Sequence, residues 1–270
     1  MPLNTKALSP RIGSEIVASK EELLKGGLAE EVRELLEQRG VLLFRGLNLS
    51  DEEQYAFAQT LGEVIDQGFK GIYKITLDPK LNDTADYLQA TIHWHVDGAQ
   101  DTVPTRASLL TARVLSQVGG QTEFANTYAA YDDLPPEKKA LADRLKVIHS
   151  QEYIQRAMHA NPTEEQLARW REHSEQVHPM VWTHRSGRKS LLLGLTAGLI
   201  EGKDEAQSRV ILDEMQKWAT QSQFVYRHEW TVGDLIIWDN TGVMHRVEPY
   251  PADSGRLLSR TTLVGEEPIA

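Results

Sequence analysis

The sequence contains no cysteine among its 270 residues. This absence excludes a disulfide framework, a thiolate zinc site, an iron–sulfur cluster and a cysteine nucleophile. The sequence also lacks any uncharged apolar run of about 18 residues, and segment 1–13 has no signal-peptide core. We therefore expect a cytoplasmic protein that is neither exported nor inserted in a membrane.

Clustered positive charge is scarce as well. The chain has 29 Lys and Arg against 39 Asp and Glu, and its formal net charge is −10. Affinity for a phosphate backbone comes from clustered basic residues, so this balance disfavours nucleic acid as a partner. A small-molecule substrate is the expected partner, and a homo-oligomer stays open. A chain of this length buries enough surface to fold without a metal, so any metal would serve chemistry.

Hydrophobic periodicity predicts one α+β domain, mainly β, over residues 1–270. Helical spacing of leucines predicts a helix over 20–39, and the apolar run 41–44 predicts a buried strand. A capping box at Ser50 and Glu53 opens a second helix that ends at Gly62. Further segments predict strands near 107–112, 122–125, 180–183, 190–195 and 232–238, and helices from 135 onward and around 210–218. We expect active-site loop or lid segments near 66–92 and 149–176, where polar and charged residues accumulate.

The segment Thr91–Asp97 contains the first group of metal-binding residue types. If it is a strand, His95 and Asp97 lie on one face and can present an imidazole and a carboxylate to a single ion. His93 shares that face, but only His95 has an acid two residues later. An H-x-D triplet alone is a weak indication, since most such pairs are surface or core residues.

The second group strengthens the first. An apolar strand, Gly233–Trp238, is followed by a polar turn and then by His245. Two histidines and one carboxylate from separate segments form the facial triad typical of non-haem Fe(II), which leaves coordination positions open. A metal hydrolase that uses the same three residues and a bound water is an alternative from another class.

Two arginines follow His245 closely. Arg256 and Arg260 are four residues apart, so a strand would place both guanidinium groups on one face. An inward-facing guanidinium needs a carboxylate or another planar anion as its partner. The alternative is a pair of solvated surface arginines.

Together these motifs resemble the taurine dioxygenase and 2,4-dichlorophenoxyacetate dioxygenase (TauD/TfdA) group of Fe(II)- and 2-oxoglutarate-dependent oxygenases. The matching segments are Val41–Gly46, Leu49–Gln54, Trp94–Asp97, Gly119–Thr122, Tyr128–Asp132, His178–Pro179, Gly187–Lys189 and Gly233–Asn240 with His245. The resemblance implies a double-stranded β-helix, or jelly-roll, core with flanking helices. It also implies that His95, Asp97 and His245 ligate iron.

The resemblance further assigns the two arginines. Arg256 would bind the distal carboxylate of 2-oxoglutarate with support from the Thr122 hydroxyl, and Arg260 would face an anionic group of the substrate. The alternatives for Arg260 are an internal acid such as Glu123 or Asp239, or a second contact to 2-oxoglutarate.

The implied function is that of an oxidoreductase which consumes O₂ and 2-oxoglutarate, hydroxylates a small anionic substrate and releases succinate and CO₂. Cleavage of a C–O, C–N or C–S bond would follow where the hydroxylated carbon bears such a group. Desaturation or ring formation by the same oxidising chemistry, or a non-catalytic 2-oxoglutarate-binding protein, are the alternatives. The presence of Asp97 disfavours halogenation, and the Thr122 and Arg256 pair disfavours the hydrolase.

Two departures from the family pattern leave the substrate open. Thr241 stands where relatives often have arginine, and the stretch 69–91 does not match the taurine-specific pattern. Among the other histidines we expect His159, His173 and His228 at the surface and His178 and His184 in structural positions. His149, which we place at the end of a helix beside the second lid segment, is a candidate for contact with substrate.

Overall fold

The computed structural model describes residues 3–85, 87–159, 161–172 and 175–270. His173 lies outside the described residues. The strands are β1 Thr5–Ala7, β2 Ser14–Ile16, β3 Val41–Phe44, β4 Tyr73–Ile75, β5 Ala107–Val114, β6 Thr122–Asn126, β7 Lys146–His149, β8 Gln176–Pro179, β9 Val181–Thr183, β10 Lys189–Leu191, β11 Ala197–Ile200, β12 Val225–His228, β13 Leu235–Asp239, β14 Val243–Val247 and β15 Leu257–Thr262. The helices are α1 Lys20–Leu24, α2 Ala29–Arg39, α3 Asp51–Leu61, α4 Thr127–Asp132, α5 Pro136–Ala142, α6 Gln151–Met158, α7 Glu164–Arg171 and α8 Glu205–Ala219, and short 3₁₀ helices span Tyr87–Ile92 and Ser222–Phe224.

A seven-stranded sheet with the order β1-β2-β3-β13-β5-β15-β4 forms the larger layer. Neighbouring strands are antiparallel except for β2 and β3, which run parallel. Successive side chains of a strand alternate between faces. In β13, Leu235 and Ile237 therefore pack in the core cluster that contains the helices, while Ile236 and Trp238 pack on the opposite side.

Helices α1, α2 and α3 cover the outer face of this sheet. The single helix expected over 20–39 is wrong, because the chain forms two helices there. Gly26 adopts φ +75°, a left-handed conformation that interrupts the helix, and α2 restarts at Ala29. Helix α3 begins as predicted, with the reciprocal capping bonds of Ser50 and Glu53.

A three-stranded sheet with the order β12-β6-β14 faces the inner side of the large sheet. Its central strand β6 places Thr122 opposite both His228 and Val247, and Phe124 opposite His245. Cross-strand partners point to the same face, so these side chains share one surface. Phe124 packs there with residues of the large sheet such as Leu110 and Trp238.

The remaining strands and α4 and α8 build a third core region. Strands β11, β7 and β8 form one sheet, and β10 pairs with β9. The helix predicted from 135 ends at Ala142 rather than including Val147, which lies in β7 and is fully buried. His149 consequently ends a strand and not a helix.

The segment 66–92, which polarity predicted to be a loop, contains regular secondary structure among its described residues. This structure consists of β4, which pairs with β15 so that Tyr73 lies opposite Arg260, and a 3₁₀ helix. The pairing depends on a partner about 185 residues away in sequence, which local periodicity does not report. Within the described residues, no helix reaches the length and apolarity that crossing a bilayer requires.

Phe57 of α3 offers a test of the helix–sheet core. Its side chain is 1% exposed and meets the edge of Phe44 at 6.2 Å between ring centroids. We expect Phe57→Ala to lower the free energy of unfolding by about 3–5 kcal/mol, measured by urea denaturation. Gln59→Ala, on the exposed side of the same helix, is the matched control and should change it by less than about 0.5 kcal/mol. Equal effects of the two substitutions would contradict this packing.

Candidate active site

A backbone bridge brings the two candidate histidine ligands together. The His95 amide donates to the His245 carbonyl at 3.1 Å, and the His245 amide donates to the His95 carbonyl at 2.9 Å. The rings lie 4.1 Å apart between centroids. His245 belongs to β14, but His95 forms only this isolated bridge. The strand expected for His95 and Asp97 is therefore wrong, although the two residues do approach each other.

Asp97 is held by Asn240, in the turn that follows β13. The Asp97 amide donates to Asn240 Oδ1 at 2.9 Å, and Asn240 Nδ2 donates to the Asp97 carbonyl at 2.8 Å. Asn240 is fully buried. It thus fixes the backbone that carries the candidate carboxylate ligand, a role that its place in the sequence motif did not reveal.

His95, Asp97 and His245 present ligand atoms that all lie within 4.8 Å of one another. The Asp97 oxygens are 3.7 Å from His95 Nε2 and 3.7 Å from His245 Nε2. These separations exceed hydrogen-bond distances. They suit three ligands around one ion at about 2.0–2.2 Å from each, so the three residues fit a transition metal.

The protonation states of these residues also suit a metal. Burial, with the neighbouring His95, lowers the pKa of His245 to about 3, and burial lowers the pKa of His95 as well. Burial tends to raise the pKa of Asp97, but the charges of Arg260 and the two histidines outweigh it and lower the pKa overall. Neutral imidazoles and an ionised carboxylate are the forms that bind metal.

A hydrogen bond on the ring nitrogen that faces away from Asp97 and His245 orients the His95 ring. Its Nδ1 lies 2.8 Å from the carbonyl of His93. A carbonyl only accepts, so Nδ1 carries the proton and the Nε2 lone pair faces Asp97 and His245. His93 thus contributes its backbone rather than its side chain.

Arg256 lies beside this cluster and is 3% exposed. Its Nη2 donates to the Gly120 carbonyl at 2.9 Å, and its guanidinium lies 4.6 Å from the Tyr250 ring centroid. Among the described residues, no carboxylate forms an ion pair with it. A Cβ on Gly120 would lie 2.8 Å from Arg256 Nε, which explains the glycine at this position. A buried cation without a counterion indicates a site for an anionic ligand.

One cavity connects these groups. Its walls include both candidate histidine ligands, Thr122, Arg256 and Arg260. Arg256 immediately precedes β15 and Arg260 lies within it, and both reach the same cavity, as their spacing predicts. Thr122 Oγ1 accepts a hydrogen bond from Trp230 Nε1 at 3.0 Å. Trp230 was not singled out in the sequence.

Arg260 has few partners in the protein. Its Nη1 lies 3.4 Å from Asp97 Oδ2 and its guanidinium lies 5.2 Å from the Tyr73 ring centroid. The Nε atom is buried and has no hydrogen-bond partner among the described residues. A planar donor group is therefore left available to a ligand.

The internal acids considered as partners of Arg260 are engaged elsewhere. Glu123 pairs with Arg246 at 2.5 Å. Asp239 accepts hydrogen bonds from Thr241 at 2.7 Å and from Tyr128 at 3.2 Å. Neither Glu123 nor Asp239 is therefore a partner of Arg260, and the internal acid that it does contact is Asp97. A second contact of Arg260 to 2-oxoglutarate stays a prediction.

A second cavity of ≈ 430 Å³ adjoins the first and shares His95 and Arg260 with it. Both expected lid segments contribute to its wall, through Leu88 and Thr91 from one and Ile154 from the other. Thr196 also lines it, and Thr196 Oγ1 lies 2.8 Å from Nδ1 of the fully buried His149. His149 therefore reaches this cavity through Thr196.

Of the other histidines, His228 contradicts its expected surface position. It is fully buried, and its Nε2 lies 3.3 Å from Asp234 Oδ2. His159 is exposed, whereas His178 and His184 are buried, as the sequence predicts.

Comparisons with known proteins agree with this geometry. Residues 4–262 match the family model described as taurine catabolism dioxygenase TauD, TfdA family. The alpha-ketoglutarate-dependent 2,4-dichlorophenoxyacetate dioxygenase of Burkholderia sp. (strain RASC) is 33% identical, over 98% of this chain and 95% of that protein. An alkylsulfatase of Acinetobacter baylyi is 31% identical, over 98% of this chain and 86% of that protein.

A solved structure, AAD-2 in complex with Mn(II) and N-oxalylglycine, superposes with a TM-score of 0.86. It is 31% identical in sequence, and the match covers 99% of each chain.

Proposed function

The chain belongs to the taurine catabolism dioxygenase TauD, TfdA family, and from this premise we propose that it oxidises a small anionic compound with Fe(II), 2-oxoglutarate and O₂. The reaction hydroxylates the substrate and releases succinate and CO₂. One observation carries the proposal: the cavity that contains His95 and His245, next to Asp97, also contains a buried arginine that has no counterion among the described residues.

His95, Asp97 and His245 would hold the metal. Bound Fe(II) supplies the redox chemistry that activates O₂, and three protein ligands leave positions for cosubstrate and O₂. The protein contributes neutral imidazoles and an ionised carboxylate, and the three side chains are mostly buried.

Arg256 and Thr122 would bind the distal carboxylate of 2-oxoglutarate. A guanidinium can donate two parallel hydrogen bonds to a carboxylate. In AAD-2, a dicarboxylate ligand of this kind, N-oxalylglycine, is present with Mn(II). Burial of Arg256 keeps water from competing for the same donors.

Arg260 would bind the anionic group of the substrate. Its buried Nε is without a partner among the described residues, and its guanidinium lies on the wall shared by the two cavities. Two relatives, the 2,4-dichlorophenoxyacetate dioxygenase and the alkylsulfatase, are named for a phenoxyacetate and a sulfate ester, and both compounds carry negative charge. In such compounds the carbon next to oxygen is the natural position of attack, since hydroxylation there leads to C–O cleavage.

We also infer that the facing seven-stranded and three-stranded sheets form the double-stranded β-helix, or jelly-roll, core. Residues 1–270 would make one catalytic domain, with segments 66–92 and 149–176 as lids over the larger cavity. A cytoplasmic location is a prediction from composition alone.

The direct test is a substrate panel of aryloxyacetates, alkyl sulfates, sulfonates and acyl amino acids. Succinate formation is measured with each compound and compared with the uncoupled background, and the oxidised product is identified by mass spectrometry. The proposal requires at least one acid to raise succinate formation together with a hydroxylated or cleaved product. A desaturated or cyclised product would instead select the alternative outcome, and stimulation only by neutral compounds would contradict an anionic substrate.

Arg260→Gln separates the role of this arginine from that of Arg256. We expect it to raise the KM of the best acidic substrate by about tenfold or more, because one partner of a charge pair is lost. The neutral amide of the same substrate should be affected little, and so should 2-oxoglutarate. Arg227→Gln is the matched control. Arg227 lies on β12 and forms an ion pair with Glu248 at the surface. Weakened 2-oxoglutarate binding with an unchanged preference for the acid would place Arg260 at the cosubstrate instead.

A further inference from the structure

The hydrogen bond between Trp230 and Thr122 has a fixed direction. An indole N–H can only donate, whereas a threonine hydroxyl has one proton and accepts through its lone pairs. At 3.0 Å from Trp230 Nε1, Thr122 Oγ1 must therefore be the acceptor. The hydroxyl proton is left for another acceptor.

No such acceptor is found for the Thr122 hydroxyl among the described residues. Thr122 is 5% exposed and lines the cavity that also contains Arg256. A buried hydroxyl whose proton finds no acceptor carries an energetic penalty. The free proton therefore suits an anion that enters this cavity.

We propose that Trp230 is a positioning residue for 2-oxoglutarate, which acts by directing the Thr122 hydroxyl proton toward the distal carboxylate. This inference rests on the proposed cosubstrate site at Arg256. It assigns to Trp230 no contact with the cosubstrate itself.

The surroundings of Trp230 keep its ring in place. The ring meets His228 edge-to-face, with 4.4 Å between centroids and an angle of 88°. His228 is itself bound by the Tyr226 hydroxyl at 2.9 Å. Because His228 is also the strand partner of Thr122, the ring that packs against Trp230 is fixed to the strand that carries the hydroxyl.

Asp234 also contacts His228, the histidine that packs against Trp230. It is fully buried and lies 3.3 Å from His228 Nε2. It also accepts hydrogen bonds from the Gly46 amide at 3.1 Å and from the Thr231 amide at 2.9 Å. The Trp230 ring therefore packs against a buried histidine that has Tyr226 on one ring nitrogen and Asp234 close to the other.

The experiment measures cosubstrate affinity directly. Calorimetry with Mn(II)-loaded protein under anaerobic conditions gives the Kd of 2-oxoglutarate and that of pyruvate, which lacks the distal carboxylate. We expect Trp230→Phe to weaken 2-oxoglutarate binding about tenfold, the order expected for one hydrogen bond to a charged group, and to leave pyruvate binding unchanged. Trp218→Phe is the matched control, since that indole donates to the Ala130 carbonyl at 2.8 Å, away from the cavity.

A double-mutant cycle tests the route through Thr122. In a Thr122→Val background, Trp230→Phe should cause no further loss of 2-oxoglutarate affinity. Wild-type affinity of Trp230→Phe, an equal loss for pyruvate, or an undiminished effect in the Thr122→Val background would each overturn the inference. If Trp230→Phe does not fold, replacement of Trp230 by 3-benzothienylalanine removes the N–H from a ring of nearly the same shape and gives the same comparison.

Arg256→Gln, measured in the same series, separates the two proposals. Unchanged 2-oxoglutarate affinity in that variant would move the cosubstrate site elsewhere and overturn the inference with it. Weakened binding in Arg256→Gln together with wild-type binding in Trp230→Phe would overturn the inference alone.

Discussion

Asp97→Ala is expected to reduce 2-oxoglutarate-dependent succinate formation by at least about 100-fold. Loss of groups that only support metal ligands already costs about 10–100-fold, and Asp97 would be a ligand itself. The variant keeps both histidines but loses the only negative charge among the three residues. Two neutral imidazoles and the nearby Arg260 would then surround the metal position, which disfavours a cation there.

The fold should survive this substitution. Asp97 has 21% of its side chain exposed and lies in none of the three core clusters. Circular dichroism and thermal unfolding of the metal-free variant should match those of the wild type, while calorimetry should show weakened Mn(II) binding. Asp253→Ala, at an exposed turn, is the control and should bind metal normally. Wild-type succinate formation by Asp97→Ala would refute the proposed triad.

The proximity of the candidate ligands could be predicted from sequence, but the way in which it arises could not. The spacing of His95 and Asp97 suggested a shared strand face, whereas the structure brings them together through the bridge to His245 and the clamp of Asn240. Both contacts join segments more than 140 residues apart. Local periodicity contains no information about such pairings.

For His228 the predicted surface position was wrong, and Trp230 was missed, for a different reason. The charged neighbours Arg227 and Glu229 suggested an exposed segment, and both are indeed exposed. On a strand, however, residues at odd and even positions face opposite sides, so exposed charges at 227 and 229 are compatible with a buried histidine between them. The alternation was present in the sequence and would have predicted the buried face that supports Thr122.

The prediction of a single helix over 20–39 failed for a local reason, which is also visible in the sequence. The leucine spacing is helical throughout, but Gly26 and Gly27 are adjacent within it. Glycine is a poor helix former and readily adopts positive φ, and the break occurs there. Hydrophobic periodicity located the buried residues Leu23, Val32 and Leu36, but it also included the exposed Leu24 and missed the interruption between the helices.

Arg256→Gln is expected to raise the Kd of 2-oxoglutarate by tens of fold or more. Truncating one partner of a buried charge pair costs about 2–5 kcal/mol, which corresponds to roughly 30-fold to several thousand-fold in Kd. Glutamine can still reach toward the Gly120 carbonyl, but it lacks the charge and the paired donors of a guanidinium. The affinity for pyruvate should change little, because pyruvate has no distal carboxylate.

Stability measurements distinguish a binding role of Arg256 from a structural one. In the part of the chain that the structure describes, the buried Arg256 guanidinium has no counterion, which is costly in the free protein. Arg256→Gln should therefore be no less stable than the wild type before ligand is added. Bound ligand stabilises a fold according to its concentration relative to Kd. At a fixed 2-oxoglutarate concentration with Mn(II), the Tm of the wild type should therefore rise, and the Tm of Arg256→Gln should rise much less. Arg11→Gln, which removes an exposed pair with Asp133, should keep the full gain. If Arg256→Gln gained as much as the wild type, the buried cation would have to serve the fold rather than the cosubstrate.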